Sequence, residues 1–164
     1  MSGKPIVALP RTRTASRAAA LQALFQCEQS GEGAETVIAE FIAHRLGKRD
    51  GGRGFDDGGA PMADKKLFSL VVRTALEKQE ALDGLIAQTL PEDWPLARID
   101  PVLRALLRAG GAELALADGP PVRVVINEYL DIAHGFFQGD EPGMANAVLD
   151  RMAKTLRPEA AEGN

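Results

Sequence analysis

Apolar residues recur at three- and four-residue spacing through almost all of this 164-residue chain, while runs that alternate polar and apolar residues are scarce. A chain so patterned buries its hydrophobic surface along helical stripes, not on pleated faces, and the fold class expected is all-α, with about seven helices. Ala18, Leu21, Leu24 and Phe25 carry the first stripe, in a helix expected to start at Thr14 as N-cap and to stop at Gly31 and Gly33. Val37, Ile38, Phe41 and Ile42 carry the second, ending at Gly47.

A third helical segment starts near Ala63 or Asp64 and runs to Leu90 with an expected break near Gln79. Asp100-Pro101 then supplies an N-cap acid followed by proline at the first helical position, and Ile99, Val102, Leu103, Leu106, Leu107, Gly110 and Leu114 follow the i, i+3, i+4, i+7 rule behind it. Gly110-Gly111 inside that helix costs on the order of 1 kcal/mol per glycine against alanine, which is tolerable where another helix crosses closely. Gly119-Pro120-Pro121 launches a helix whose expected buried stripe is Val122, Val125, Ile126, Tyr129, Ala133 and Phe136, and Gly139-Asp140 opens the last one, to about Leu156.

Between these elements, residues 47–61 hold six glycines, lack the GK[ST] ending of a phosphate-binding loop and follow no strand, so they read as a flexible linker. The organisation expected is a basic tail over 1–13, a helical part over 14–46, a Gly-rich loop over 47–62, a second helical part over 63–156 and a frayed tail over 157–164.

Charge is distributed unevenly. The first 27 residues hold Lys4, Arg11, Arg13 and Arg17 and no acid, whereas the remainder carries 15 basic against 23 acidic side chains. An anionic partner at the front of the chain fits that asymmetry, nucleic acid first. Arg11, Arg13 and Arg17 alternate with Thr12, Thr14 and Ser16, so charge and hydroxyl groups are both available to phosphates. Composition alone leaves this segment open between a phosphate site and a solvated tail.

No nucleophile elbow, zincin or CxxC motif is present, and the lone Cys27 with His44 and His134 makes no metal-ligand spacing. Neither an enzyme nor a metal or cofactor site is expected. Asp56-Asp57 sit among glycines with nothing to fix their geometry, and Cys27 reads as a packed hydrophobe. A single cysteine suits a reducing cytoplasm, and no stretch reads as an export signal or membrane span.

Three stretches go further: RTRTASRAAALQALFQCEQSG, LFSLVVRTALEKQEALDGLI, and IDPVLRALLRAGGAELALADGPPVRVVINEYLDIAHGFFQGDEPGMANAVLDRMAK. Together they resemble the NusB family of bacterial transcription antitermination factors, most specifically through VLRALLRAGGAEL, the P-x-x-V-x-INE-x-x-x-x-A run from Pro121 to Ala133, and NAVLDRMAK. The resemblance implies two packed three-helix bundles, divided at the glycine loop. It implies binding of a boxA-type single-stranded RNA together with the ribosomal protein NusE, inside an RNA polymerase antitermination complex, by a monomer or homodimer.

Carried over by position, the family's RNA surface falls on Arg11, Arg13 and Arg17 and on Asp140, Met144 and Asn146 at the start of the last helix. The family often carries a denser arginine cluster and an aromatic at the Met144 position; stacking on a ring contributes about 1–3 kcal/mol per base. Asp140 is expected either to cap its helix or to accept from a base edge. Asn127 and Glu128 of the INE signature are expected to hold neighbouring groups in place. The exposed face of the helix after Asp100, with Arg104 and Arg108, is the candidate for the NusE contact. NusB-like domains also stand at the front of RNA cytosine methyltransferases, and a helical protein–protein adaptor is a third reading.

Overall fold

The computed structural model describes residues 12–46 and 64–162. Arg11, the glycine loop and Asp56-Asp57 lie outside the described residues. Eight α-helices and one short 3₁₀ turn make up the described chain: α1 (Thr12–Ser30), α2 (Ala34–His44), α3 (Lys65–Glu77), α4 (Gln79–Thr89), the turn at Leu96–Arg98, α5 (Pro101–Leu114), α6 (Val122–Phe136), α7 (Glu141–Leu156) and α8 (Pro158–Glu162).

Local chemistry sets most of these boundaries. Asp64 caps α3 by accepting from the N–H groups of Lys66 and Leu67 at 2.9 and 3.1 Å. Asp100 does the same for α5 through Val102 and Leu103 at 2.7 and 3.3 Å, with Pro101 in the first turn where no N–H is needed. Gly31, at φ +80°, closes α1 in the left-handed conformation that a side chain disfavours, its N–H bonding to Cys27 O at 2.9 Å. The break expected near Gln79 falls at Lys78, between α3 and α4.

Some expected ends move. Thr14 is not the N-cap of α1, which starts two residues earlier; its hydroxyl instead donates to Glu128. α2 stops at His44, after which Arg45 lies over the Phe41 ring, 4.4 Å from its centroid, and Leu46 turns into the core. Phe136, expected in the buried stripe of α6, is 46% exposed. The segment read as a frayed tail begins with an anchored residue. Arg157 donates to the carbonyls of Leu114, Glu113 and Pro120, closing the C-terminal end of α5, and α8 follows it.

Packing divides the helices into α1–α3 and α5–α7, with α4 against α5 and α7. This is the expected pair of three-helix bundles, but α3, which follows the glycine loop, belongs with α1 and α2, so the division falls after α3 and not at the loop. The halves share one core because α5 packs on α1 and α3 as well as on α6 and α7. Gly110 and Gly111 make that possible. A Cβ on Gly110 would stand 2.9 Å from Leu149 Cδ2, and one on Gly111 2.5 Å from Met152 Cε, so α7 crosses α5 at the closest approach its side chains permit.

Candidate nucleic-acid interface

The first turn of α1 is held from two sides. Ser16, fully buried, accepts the N–H of Asp64 at 2.6 Å and so ties the start of α1 to the start of α3. On the other side the Thr14 hydroxyl donates to Glu128 Oε1 of α6 at 2.7 Å. Arg13, between those two anchors, is exposed, and its side chain makes no hydrogen bond or ion pair among the described residues. The first turn also leaves helix N–H groups unpaired within the helix, which adds partial positive charge beside Arg13.

Arg17 behaves differently from the surface cation expected. It is 2% exposed, because at positions 17, 21 and 24 it shares the stripe of Leu21 and Leu24 that faces the core. Its Nε lies 2.8 Å and its Nη2 2.5 Å from the Glu113 carboxylate, and its Nη1 lies 3.0 Å from Glu128 Oε1. Tyr129, also fully buried, donates its hydroxyl to Glu113 Oε1 at 2.9 Å. Burial pulls the Arg17 guanidinium down, but the hydrogen bond and charge of Glu113, followed by Tyr129 and Glu128, outweigh it and leave the group above its ordinary value. Burial, then the Glu113 charge, pushes the Tyr129 phenol well up. A guanidinium so enclosed organises the surface from below and presents no open face to a phosphate.

Glu128 therefore has the structural role expected of the INE signature, while its neighbour Asn127 is exposed. Above Glu128 lies a groove of about 410 Å³ between the first turn of α1 and the start of α6, with Thr12 and Arg13 on one rim and Pro120 and Val124 on the other.

The second expected stretch lies at the other end of α6. Asp140 precedes α7 and is exposed, and its carboxylate makes no capping hydrogen bond, so the capping role is not the one it fills. Asn146 is exposed, and Met144 is half-buried against the core. From Glu128 to Phe136 is eight residues of α6, about 12 Å at helical rise. The two stretches thus stand toward opposite ends of α6.

Arg104 and Arg108 are not the exposed face expected for a partner. Arg104 donates to Glu28 at 2.8 Å through both Nε and Nη2 and to the carbonyls of Leu96 and Ile99. Arg108, 8% exposed, bridges Glu28 at 3.0 Å and Asp83 at 2.8 Å. Their guanidinium groups are used in joining α1, α4 and α5. The Arg104 hydrogen bond, working against burial and with Arg108 behind it, holds the Glu28 carboxyl below its usual range.

Cys27 is buried, and burial followed by the nearby Glu32 charge raises its thiol, which makes it a packed hydrophobe. Among the described residues no group of three or more His, Cys, Asp or Glu side chains could hold a metal ion, and no helix is long and apolar enough to cross a membrane.

Residues 14–154 match the family described as the NusB family. The chain is 60% identical over 153 residues to the transcription antitermination protein NusB of Granulibacter bethesdensis, covering 93% of this chain and 94% of that protein. It is 53% identical to the protein of the same description from Gluconobacter oxydans, over 94% of this chain and 91% of that one. Among solved structures, that of T. maritima NusB superposes with a TM-score of 0.70 at 26% identity, covering 93% of this chain and 99% of its own.

Proposed function

The chain belongs to the NusB family and is a non-enzymatic, RNA-binding transcription antitermination factor; from that premise we propose that it binds a boxA-type single-stranded RNA in the cytoplasm, together with the ribosomal protein NusE, to keep RNA polymerase processive through ribosomal RNA operons. The observation that carries the RNA surface is Arg13, an exposed cation with no ion pair among the described residues, on a helix start fixed by Thr14–Glu128 and Ser16–Asp64. Lys4 and Arg11, ahead of Arg13 in the sequence, add to the same charge.

The second stretch, Asp140, Met144 and Asn146, offers an uncapped carboxylate, a soft apolar contact and an amide to unpaired bases. An RNA lying along α6 would meet both ends. Met144 replaces an aromatic ring there, so base stacking contributes less and the phosphate contacts near Arg13 more. Arg17 enters as the residue that positions this surface, because Glu113 and Glu128 already occupy its guanidinium.

The alternative of a methyltransferase's RNA module is less well supported, since these relatives are matched over 91–94% of their own length. The reading is tested by fluorescence anisotropy of a labelled boxA RNA against a scrambled RNA, at fixed salt, with and without equimolar NusE. Selective binding that tightens with NusE supports it. Equal weak binding to both RNAs, unchanged by NusE, leaves a helical adaptor without RNA specificity.

A further inference from the structure

We propose that the groove between α1 and α6 is a nucleobase subsite in which Glu128 selects a base bearing an exocyclic amine, adenine, cytosine or guanine, over uracil. The inference rests on the RNA-binding reading and adds to it which residue reads a base.

The groove sorts ligands by chemistry. Glu128 Oε1 is occupied by Thr14 and Arg17, but its Oε2 accepts no hydrogen bond among the described residues, and the side chain is 19% exposed at the floor of the groove. A carboxylate only accepts, so whatever fills the groove must bring N–H donors. Charge argues the same way. Arg17 is already matched by two carboxylates, Glu113 and Glu128, so inside the groove a phosphate would meet the Glu128 carboxylate without a cation left over to offset it. Arg13 at the rim is the place for the phosphate, and a neutral group goes inside.

Shape narrows the choice further. Val124, 43% exposed, and Pro120 form an apolar wall opposite the threonines, suited to the face of a flat ring. A neutral ring with an apolar face and a donor edge, attached to a phosphate at the rim, is a nucleotide. Uracil brings a single N–H between two carbonyl oxygens that a carboxylate repels, whereas the amine of adenine, cytosine or guanine fits Oε2.

The test is a uracil scan: a boxA-type RNA is titrated against variants each carrying uracil in place of one amine-bearing base, using wild type, Glu128→Gln, Val124→Glu and Arg13→Ala. At one position uracil should weaken wild-type binding about tenfold. Glu128→Gln keeps an oxygen for Thr14 and Arg17 but turns an amide N–H₂ toward the ligand, so at that position the preference should vanish or invert to uracil. Val124→Glu, a change at an exposed rim, should erase the same preference with its melting temperature kept, and it decides the matter should Glu128→Gln fail to fold.

An identical scan in folded Glu128→Gln, or in Val124→Glu, overturns the subsite while Arg13→Ala still weakens binding and so upholds the RNA surface. No selective binding by wild type, or no effect of Arg13→Ala, removes the RNA surface and the subsite with it.

Discussion

Arg17 and Glu113, 96 residues apart in the chain, meet at 2.5 Å between α1 and α5 with exposures of 2% and 0%. Desolvating two charges offsets most of their attraction, so such a pair does not by itself make a fold more stable than a well-packed apolar pair would. What it does is fix geometry. Tyr129 donates to the same Glu113 carboxylate, while Glu128 accepts from the remaining side of the guanidinium and from the Thr14 hydroxyl, which together hold the start of α1 in place.

Glu113→Ala should therefore destabilise the protein by about 3–5 kcal/mol, because it leaves a buried guanidinium without its main partner. Urea unfolding measures the loss. The double replacement Arg17→Met with Glu113→Leu should regain most of it, and a double variant no more stable than the single one would assign the loss to packing instead of to charge.

The two arginines of the first helix should separate cleanly. Arg13→Ala should leave the melting temperature unchanged and reduce the log–log salt slope of RNA binding by about one, the value for a single lost phosphate contact. Arg17→Ala should lower the melting temperature first. A salt slope unchanged in Arg13→Ala would take that residue off the RNA surface.

The phenol of Tyr129, raised by burial and the Glu113 charge, predicts an alkaline limb of stability. Above pH of about 10 the unfolded chain gives up this proton while the folded chain keeps it. Stability from this group is thus full below that pH and falls as pH rises beyond it. Because Tyr129 is the chain's single tyrosine, tyrosinate absorbance reports it alone and should rise only with unfolding. Tyr129→Phe should abolish this absorbance change and cost about 1–3 kcal/mol at neutral pH, since Glu113 loses a donor.

At the acid end Glu28 is the group to follow. Its carboxyl is held low by Arg104, against burial, and by Arg108, so the stability it contributes is present above the unfolded value of about 4.3 and is lost as pH falls through the lower folded one. Comparing wild type with Glu28→Gln by thermal melts across that window should show the two curves converging as the pH drops. Parallel curves would mean the arginines hold Glu28 no more tightly folded than unfolded.

Gly110→Val should cost about 1–3 kcal/mol by forcing Leu149 off its seat where α7 crosses α5. Combined with Leu149→Ala, the loss should fall short of the sum of the two single effects, since the new methyl groups occupy the vacated space. Strict additivity would show that the crossing does not depend on this contact.

Much of the architecture was legible because it is written locally. Asp100-Pro101 and Asp64 are caps whose partners lie two and three residues on, and the glycine pair in α5 announces a close crossing without naming the helix that makes it. The arginines misled for the opposite reason: Arg17 finds its carboxylates 96 and 111 residues away, Arg104 finds Glu28 76 away, and no local pattern distinguishes such a cation from a solvated one. One signal was available for Arg17, which stands in register with Leu21 and Leu24 on the apolar stripe. α3 was misassigned because a long loop marks a gap in the chain and not the edge of a packing unit. The residues proposed to face RNA follow from the resemblance and the charge pattern, and the Glu128 oxygen that accepts no hydrogen bond among the described residues needed coordinates to be seen.

The distance in sequence between Arg17 and its acids also sets an order of events on the ribosome. When α1 leaves the exit tunnel its guanidinium has no partner, and none is supplied until Glu113 and then Glu128 have been made. Even with α1 already able to pack on α3, the Arg17 side chain must therefore wait for its acids until most of the chain has been made, and the surface proposed to hold RNA is completed only after the C-terminal helices begin to dock.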